Sequence, residues 1–302
     1  MEPITKSLPV PGAFFTFNRE ERNAVAILFG LLARRRNLKA FAALLDWHPA
    51  DLADAEVSVE WTFLRDLWNH HSRQADSAEL LRTAIRQTLQ PDNAEWLAGC
   101  TILEFNTYFV AVPKPSADFI QSPGNWSVRR FALTIKSDQE FRRVCRFKWA
   151  FNIKPDLVIQ TPSGDVLCIE AKWDSREGSY PASEAEKAIF RDRYCDPVSQ
   201  TELQRYLVNE VLGFTGTFAY LARKNFITEA GQCITWRDLL KLLDLSEAPA
   251  FISDWCLLEI DGPTAPGSDD EPGPDDFYEY SFDDKGEPTI RLVSPEPHPR
   301  TP

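Results

Sequence analysis

The sequence lacks several features that would place it in common classes of protein. It contains no apolar run of about 18 residues, the length that a membrane-spanning helix requires. Its N-terminus has no charged segment followed by an apolar core, so we expect no secretory signal. It has no helix-turn-helix, zinc-finger or phosphate-binding-loop motif and no internal repeat. Any target recognition or use of ATP is therefore expected to come from a partner or an inserted module, with no membrane involved.

Cysteine is present but is not arranged for metal binding. The six cysteines are scattered at positions 100, 145, 168, 195, 233 and 256, and none belongs to a CxxC pair or a histidine-rich cluster. This spacing makes a zinc site improbable. We interpret them as reduced thiols, mostly buried as small apolar residues, which predicts a cytoplasmic protein.

The net charge of −12 is concentrated at the C-terminal end. Residues 259–302 contain 12 acidic and 3 basic residues, whereas the rest of the chain contains 33 and 30. The body is therefore almost neutral. Residues 261–302 read as an acidic tail rich in proline and glycine, disordered or loosely attached, in which FYEYSF and TIRLV could pair as a hairpin. The tail either solubilises the protein or folds over basic residues and competes with DNA.

The remaining chain divides by its hydrophobic periodicity. We predict an arm and first core helix over 1–36, with Asn18 as N-cap, and a helical insertion over 37–100. Residues 101–260 are predicted to form the core, with strands at 101–112, 127–137, 216–223 and 250–260, two further strands within 154–173, and helices within 182–213 and 234–245. This alternation predicts an α/β fold, a mixed sheet flanked by helices, with an inserted helical block.

One stretch, KPDLVIQTPSGDVLCIEAKW over 154–173, carries the candidate chemistry. It reads as two strands joined by a turn at Ser163–Gly164. Side chains alternate along a strand, so Glu170 and Lys172 share one face, and the hairpin brings Asp156 near that end. Two carboxylates on rigid strands suit Mg²⁺ or Mn²⁺, and a neighbouring lysine can orient or help to deprotonate a water. This combination is what phosphodiester hydrolysis needs, although a same-face ion pair on a half-exposed sheet gives the same pattern.

The residues Pro155-Asp156 and Glu170-Ala171-Lys172 resemble the signature of the PD-(D/E)XK nuclease superfamily, the restriction-endonuclease-like proteins. The predicted order of helix, three strands, helix and strand is similar to the core of that family, over roughly 14–32 and 101–223. The resemblance implies a Mg²⁺-dependent endodeoxyribonuclease, reasonably in bacterial defence against foreign DNA. Asp156 and Glu170 would be metal ligands, and Lys172 would position or activate the attacking water.

The resemblance also implies further site residues, because members often add a carboxylate from the first helix. Glu21 is the candidate for a catalytic and metal-binding role, since it continues the inward face of that helix, although it could equally belong to a capping box with Asn18. Glu20 and Glu104 are the alternatives. Some members place a polar residue on the helix after the second strand, and Gln200, with Gln204 one turn later, fits that position.

A dense basic run is the candidate nucleic-acid contact. It comprises Arg142, Arg143, Arg146 and Lys148, just before Asp156, and could bind phosphates beside the active strands or form an amphipathic surface. DNA is the expected partner, RNA is not excluded by the chemistry, and a protein partner or homodimer is compatible with the sequence.

A second hypothesis belongs to another class of protein. The fold could serve as a catalytically silent scaffold or binding subunit, with its carboxylates in a structural ion pair. In that case Lys172 would close on Glu170 and leave no room for a metal ion.

Overall fold

The computed structural model describes residues 21–74, 76–110, 114–172, 177–223, 232–261, 277–282 and 288–293. They fall into two units that divide after Ile260. In chain order the described elements up to that point are α1 (Glu21–Leu32), α2 (Arg35–Leu44), β1 (Glu56–Val59), α3 (Phe63–Ser72), α4 (Ser77–Leu89), α5 (Ala94–Gly99), α6 (Ile102–Phe109), α7 (Val128–Thr134), α8 (Asp138–Ala150), β2 (Leu157–Gln160), β3 (Asp165–Lys172), β4 (Ser179–Tyr180), α9 (Glu184–Asp192), β5 (Val198–Ser199), α10 (Gln200–Arg205), a π-helical turn (Tyr206–Val211), β6 (Thr215–Ala222), β7 (Cys233–Thr235), α11 (Trp236–Leu242) and α12 (Ala250–Asp261).

The main sheet is mixed, and five of the described strands form it in the order β1-β2-β3-β6-β7. The first three strands are antiparallel, with Leu157 opposite both Val59 and Ile169. Strands β3, β6 and β7 are parallel, and the chain between β3 and β6 crosses over through helices, as parallel strands require. The predicted α/β class, a mixed sheet flanked by helices, is confirmed.

Both faces of the sheet are buried. One face, with Leu167, Ile169 and Ala171 of β3, packs against apolar residues of α1, α2 and α11. The opposite face, with Val166 and Cys168, packs against the helices that lie between β1 and β2 and against α10. Burial on both sides explains why β3 reads as an almost continuous apolar run.

The described helices α3 to α8 lie between two strands that are neighbours in the sheet. β1 ends at Val59 and β2 begins at Leu157, and the chain between them builds much of one core, including the stacked rings of Phe109 and Trp126 at 3.9 Å. The segment 37–100, predicted to be helical, contains α2 to α5 and also β1. This short strand was missed because it has only four residues and pairs with a partner far along the chain.

Two predicted strands in this region are wrong, because residues 101–112 and 127–137 contain helices α6 and α7. Thr101 and Glu104 form a reciprocal capping box that starts α6. Phe105 and Phe109, four residues apart, then face the core. Ser127 caps α7 in a similar way, with its hydroxyl accepting from the backbone N–H of Arg130. The apolar residues of both segments, which favour strands, can pack equally well on one face of a helix, and this is why the strand prediction failed.

The strand predicted over 250–260 is also wrong, because these residues form α12. Trp255 and Cys256 are buried, whereas Phe251 and Leu257 are exposed, so the apolar residues do not follow the alternation of a strand. The run is apolar all round, which hides the helical period in the sequence.

Other predictions are confirmed. The hairpin of β2 and β3 turns at Ser163–Gly164, with Gly164 at φ +90°, and the predicted helices within 182–213 and at 236–242 and the strand β6 are present. In the second unit, β8 (Phe277–Phe282) and β9 (Pro288–Val293) pair antiparallel, as FYEYSF and TIRLV predicted. The N-terminal arm, Asn18 and the rest of the acidic tail lie outside the described residues.

Candidate metal and phosphodiester site

The β2–β3 hairpin brings the three predicted residues together at its open end. The Oδ2 atom of Asp156 accepts a hydrogen bond from the backbone N–H of Ala171 at 2.9 Å, which fixes the aspartate against the end of β3. The Nζ atom of Lys172 lies 2.7 Å from Oε1 of Glu170, so these two side chains share one face as the alternation predicted. Both are almost fully buried.

Glu170 is surrounded by donors from two elements. Its Oε1 atom accepts from Lys172 and also from the side-chain amide of Gln200. Its Oε2 atom accepts from the side-chain amide of Gln204 at 2.7 Å. Helix α10 therefore presents both predicted glutamines to the carboxylate, one turn apart, and orients it.

The carboxyl groups of Asp156 and Glu170 lie close enough to influence each other, and both have raised pKa values. Burial raises the pKa of Glu170 to about 8, and the neighbouring Asp156 carboxylate adds to the rise, whereas Lys172 and Gln204 oppose it. Burial also raises the pKa of Asp156, against the lowering effects of the Ala171 N–H and Lys172. The raised pKa values favour retention of a proton by these two carboxyl groups at neutral pH, even though the Lys172 ammonium opposes it.

Lys172 remains a cation in this cluster. Its burial alone would lower its pKa, but the Glu170 carboxylate, helped by Glu21 and Asp156, reverses that effect and leaves the pKa raised. The surrounding carboxylates thus stabilise the ammonium form of Lys172.

Glu21 joins the cluster from the start of α1. It interacts electrostatically with both Asp156 and Lys172, and with Asp156 it lines an open cleft of about 420 Å³. The alternative Glu20 lies outside the described residues. The other alternative, Glu104, uses its carboxylate on the Thr101 N–H in the capping box of α6.

The predicted basic run lies on α8, and acidic side chains meet its arginines. Arg143 lies 3.3 Å from Asp92, and Arg146 lies 3.4 Å from Glu210 and 3.7 Å from Glu202, which is also 4.0 Å from Arg142. Lys148 is half-buried, and that burial lowers its pKa. A phosphate on this helix would compete with these carboxylates.

The donor set fits a hard divalent cation in part. Asp156 and Glu170 supply carboxylate oxygens, and Mg²⁺ is often held by one or two carboxylates together with water and substrate phosphate. Within the described ranges, no group of three histidine, cysteine or acidic residues is placed to hold a metal ion. Asp156 and Glu170 would hold such a cation with their carboxylate oxygens, and its charge would replace that of the proton that their raised pKa values favour.

Three residues at the cleft were not singled out by the sequence. Arg22, Glu60 and Asn152 line it together with Lys154, which adjoins the predicted basic run. Arg22 follows Glu21 directly and could have been noticed. Glu60 gave no signal, because it reaches the cleft only when β1 pairs with β2, and nothing in the sequence around Asn152 marked it.

Comparisons with protein-family models, with curated proteins and with solved structures find no match to this chain. In the described part of the chain, no helix has both the length and the apolar character needed to cross a membrane.

Proposed function

We propose that this protein is a Mg²⁺- or Mn²⁺-dependent nuclease of the PD-(D/E)XK type that hydrolyses phosphodiester bonds in DNA. The carrying observation is the convergence of Asp156, Glu170 and Lys172 at the end of one hairpin, beside an open cleft. An accidental ion pair between Glu170 and Lys172 would not account for the third group, Asp156, at the same place.

The order of elements supports this proposal. When α2, the helices between β1 and β2, and β4, α9 and β5 are left aside, helix α1, the antiparallel strands β1, β2 and β3, helix α10 and the parallel strand β6 follow the order of helix, three strands, helix and strand expected of such nucleases. Fold alone does not define function, so the argument depends on the side chains at the hairpin.

Each residue has a role that follows from its position. Asp156 and Glu170 would hold the cation, with Glu21 at the cleft side, and Gln200 and Gln204 keep the Glu170 carboxylate in place. Lys172 would orient the attacking water and stabilise negative charge on the phosphate. A bound divalent cation would supply a polarised phosphoryl oxygen and a more acidic water.

The contact between Lys172 and Glu170 also favours the second candidate, a silent scaffold. With Nζ and Oε1 2.7 Å apart and both residues buried, the ammonium of Lys172 and the carboxyl of Glu170 are partners for each other, so no metal ion is needed to pair with Glu170. The two proposals differ in divalent-ion binding, which a scaffold does not require.

The test is cleavage of supercoiled plasmid and single-stranded DNA with Mg²⁺ or Mn²⁺, compared with a chelator. We expect metal-dependent nicking, and we expect Asp156→Asn to reduce its rate roughly 100-fold or more because the carboxylate charge is lost. The amide oxygen of asparagine can still accept from the Ala171 N–H, so the hairpin should persist.

Asp192→Asn is the matched control, because this exposed residue at the end of α9 loses the same charge. Its nicking rate should equal that of the native chain. Nicking that survives in Asp156→Asn would overturn the proposed site. A native chain that neither nicks DNA nor binds Mn²⁺ would establish the scaffold in its place.

A further inference from the structure

We propose that the cleft beside Asp156 binds the phosphate backbone of a nucleic acid through Arg22 and Lys154, and that Glu60 is an internal competitor for these two cations. The inference rests on the proposed function and extends it by naming the substrate-binding residues and what restrains them. It also places the binding surface at the cleft, away from the predicted run on α8.

Glu60 holds one cation with each oxygen. Its Oε1 atom lies 3.5 Å from Nε of Arg22, and its Oε2 atom lies 3.3 Å from Nζ of Lys154. The side chains of Arg22, Glu60 and Lys154 are 76%, 40% and 42% exposed, so all three are accessible from solvent. Ion pairs this exposed are weak, and a phosphate can replace the carboxylate at little cost.

The backbone fixes Glu60 at this place. It follows β1 with φ +50°, a left-handed conformation that is uncommon for glutamate. Its N–H donates to the carbonyl of Asp156, and the next residue, the buried Trp61, donates to the carbonyl of Pro155, both at 3.0 Å. The carboxylate is thus held beside the segment that carries Asp156, between the two cations.

Arg22 and Lys154 are the groups in the cleft that would attract a phosphate, although acidic side chains outnumber them. With Glu60 in place, the cleft carries Arg22 and Lys154 against Glu21, Glu60 and Asp156. A phosphate between the two cations would take the position of the Glu60 carboxylate, with the guanidinium offering several donors to its oxygens. A nucleic-acid strand bound in the cleft would run directly past Asp156 and Glu21.

The experiment measures binding of a fluorescent oligonucleotide duplex and single strand to the full chain by anisotropy. Ca²⁺ replaces Mg²⁺, and a gel verifies that the probe stays intact, so that binding is measured apart from cleavage. We expect Glu60→Gln to tighten binding roughly three- to tenfold. The slope of log affinity against log salt should steepen by about 1 to 2, because Arg22 and Lys154 then meet phosphates without first giving up the Glu60 carboxylate.

Two further variants make the result specific. Glu184→Gln removes the same charge from an exposed ion pair with Lys187 on α9 and should leave affinity close to the native value. Adding Arg22→Gln and Lys154→Gln to Glu60→Gln should abolish the gain.

Equal affinities of Glu60→Gln and Glu184→Gln for the probe would overturn the proposal. So would a gain confined to Glu202→Gln, which frees Arg142 and Arg146 on α8, because the binding surface would then lie there. Metal-dependent nicking with no gain from Glu60→Gln would leave the nuclease standing and remove the cleft proposal. A gain in affinity for Glu60→Gln, in a protein that does not nick DNA, would support the cleft proposal and remove the nuclease proposal.

Discussion

Raising the pH from 5 to 8 is expected to lower the free energy of unfolding of this protein, and Glu170→Gln is expected to remove about 3 kcal/mol of that loss. The reason is the buried carboxyl of Glu170, whose pKa is raised to about 8 from an ordinary value of 4.5. In glutamine the side chain has the same shape, accepts a hydrogen bond from Lys172 and never ionises.

The sign follows from proton binding. Below pH 4.5 the carboxyl is protonated in both the folded and the unfolded chain, so it contributes no difference. Between pH 4.5 and 8 the unfolded chain releases this proton and the folded chain keeps it, so stability falls as pH rises. Asp156, whose pKa is also raised, acts in the same direction. The raised pKa of Lys172 acts only at more alkaline pH, outside this window.

The measurement is urea unfolding of the native chain and Glu170→Gln at several pH values between 5 and 8. The difference in unfolding free energy between them should grow in favour of the variant as pH rises. Glu184→Gln is the control, because its carboxylate has a lowered pKa beside Lys187 and titrates below this window. Parallel pH profiles for the native chain and Glu170→Gln would contradict the prediction.

Lys172→Ala is expected to reduce metal-dependent DNA nicking by about 100-fold or more while the chain still folds. The ammonium group lies next to Glu170, where it could donate to a water or to phosphate oxygens, and it carries a positive charge that the amides of Gln200 and Gln204 lack. Losing such a positioned group typically costs two to four orders of magnitude in rate. The fold should survive because the raised pKa of Glu170 lets its carboxyl keep a proton at neutral pH, so that loss of Lys172 leaves no unpaired buried charge.

The assay compares nicking rates for the native chain, Lys172→Ala, Lys172→Arg and Lys187→Ala at saturating Mn²⁺. Lys187 forms an exposed pair with Glu184, so its removal should leave the rate unchanged. Arginine keeps the charge but not the compact ammonium, and should restore only part of the rate. A Lys172→Ala protein that folds and nicks DNA at the native rate would show that the lysine has only a structural role.

The hairpin site was predictable because it is local. Asp156 and Lys172 lie close in sequence, a turn with glycine separates the strands, and alternation alone places Glu170 and Lys172 on one face. Glu60 was not predictable in the same way. Its place beside Asp156 depends on the pairing of β1 with β2 across many helices.

The misread strands have a different cause. Residues 101–112 alternate apolar and polar side chains but also repeat them at a spacing of four, as Phe105 and Phe109 do. Periodicity alone does not separate these readings, and the capping pair Thr101 and Glu104 decides for the helix. The sequence offers Glu104 as an alternative site carboxylate, whereas in the structure its side chain accepts a hydrogen bond from the Thr101 N–H in the capping box that begins α6.

The separation of β1 from β2 has a consequence for how the molecule folds. Val59 and Leu157 are partners in the sheet although they are about 100 residues apart in sequence, so their pairing is a long-range contact that raises the contact order of the fold. The β2–β3 hairpin needs only a short loop and can form early, whereas β1 can dock only after the chain between them has become compact. The carboxylates and the lysine therefore come together near the start of folding. The edge strand β1, which brings Glu60 to them, is expected to pair later and to exchange its amide protons before β2 and β3 do.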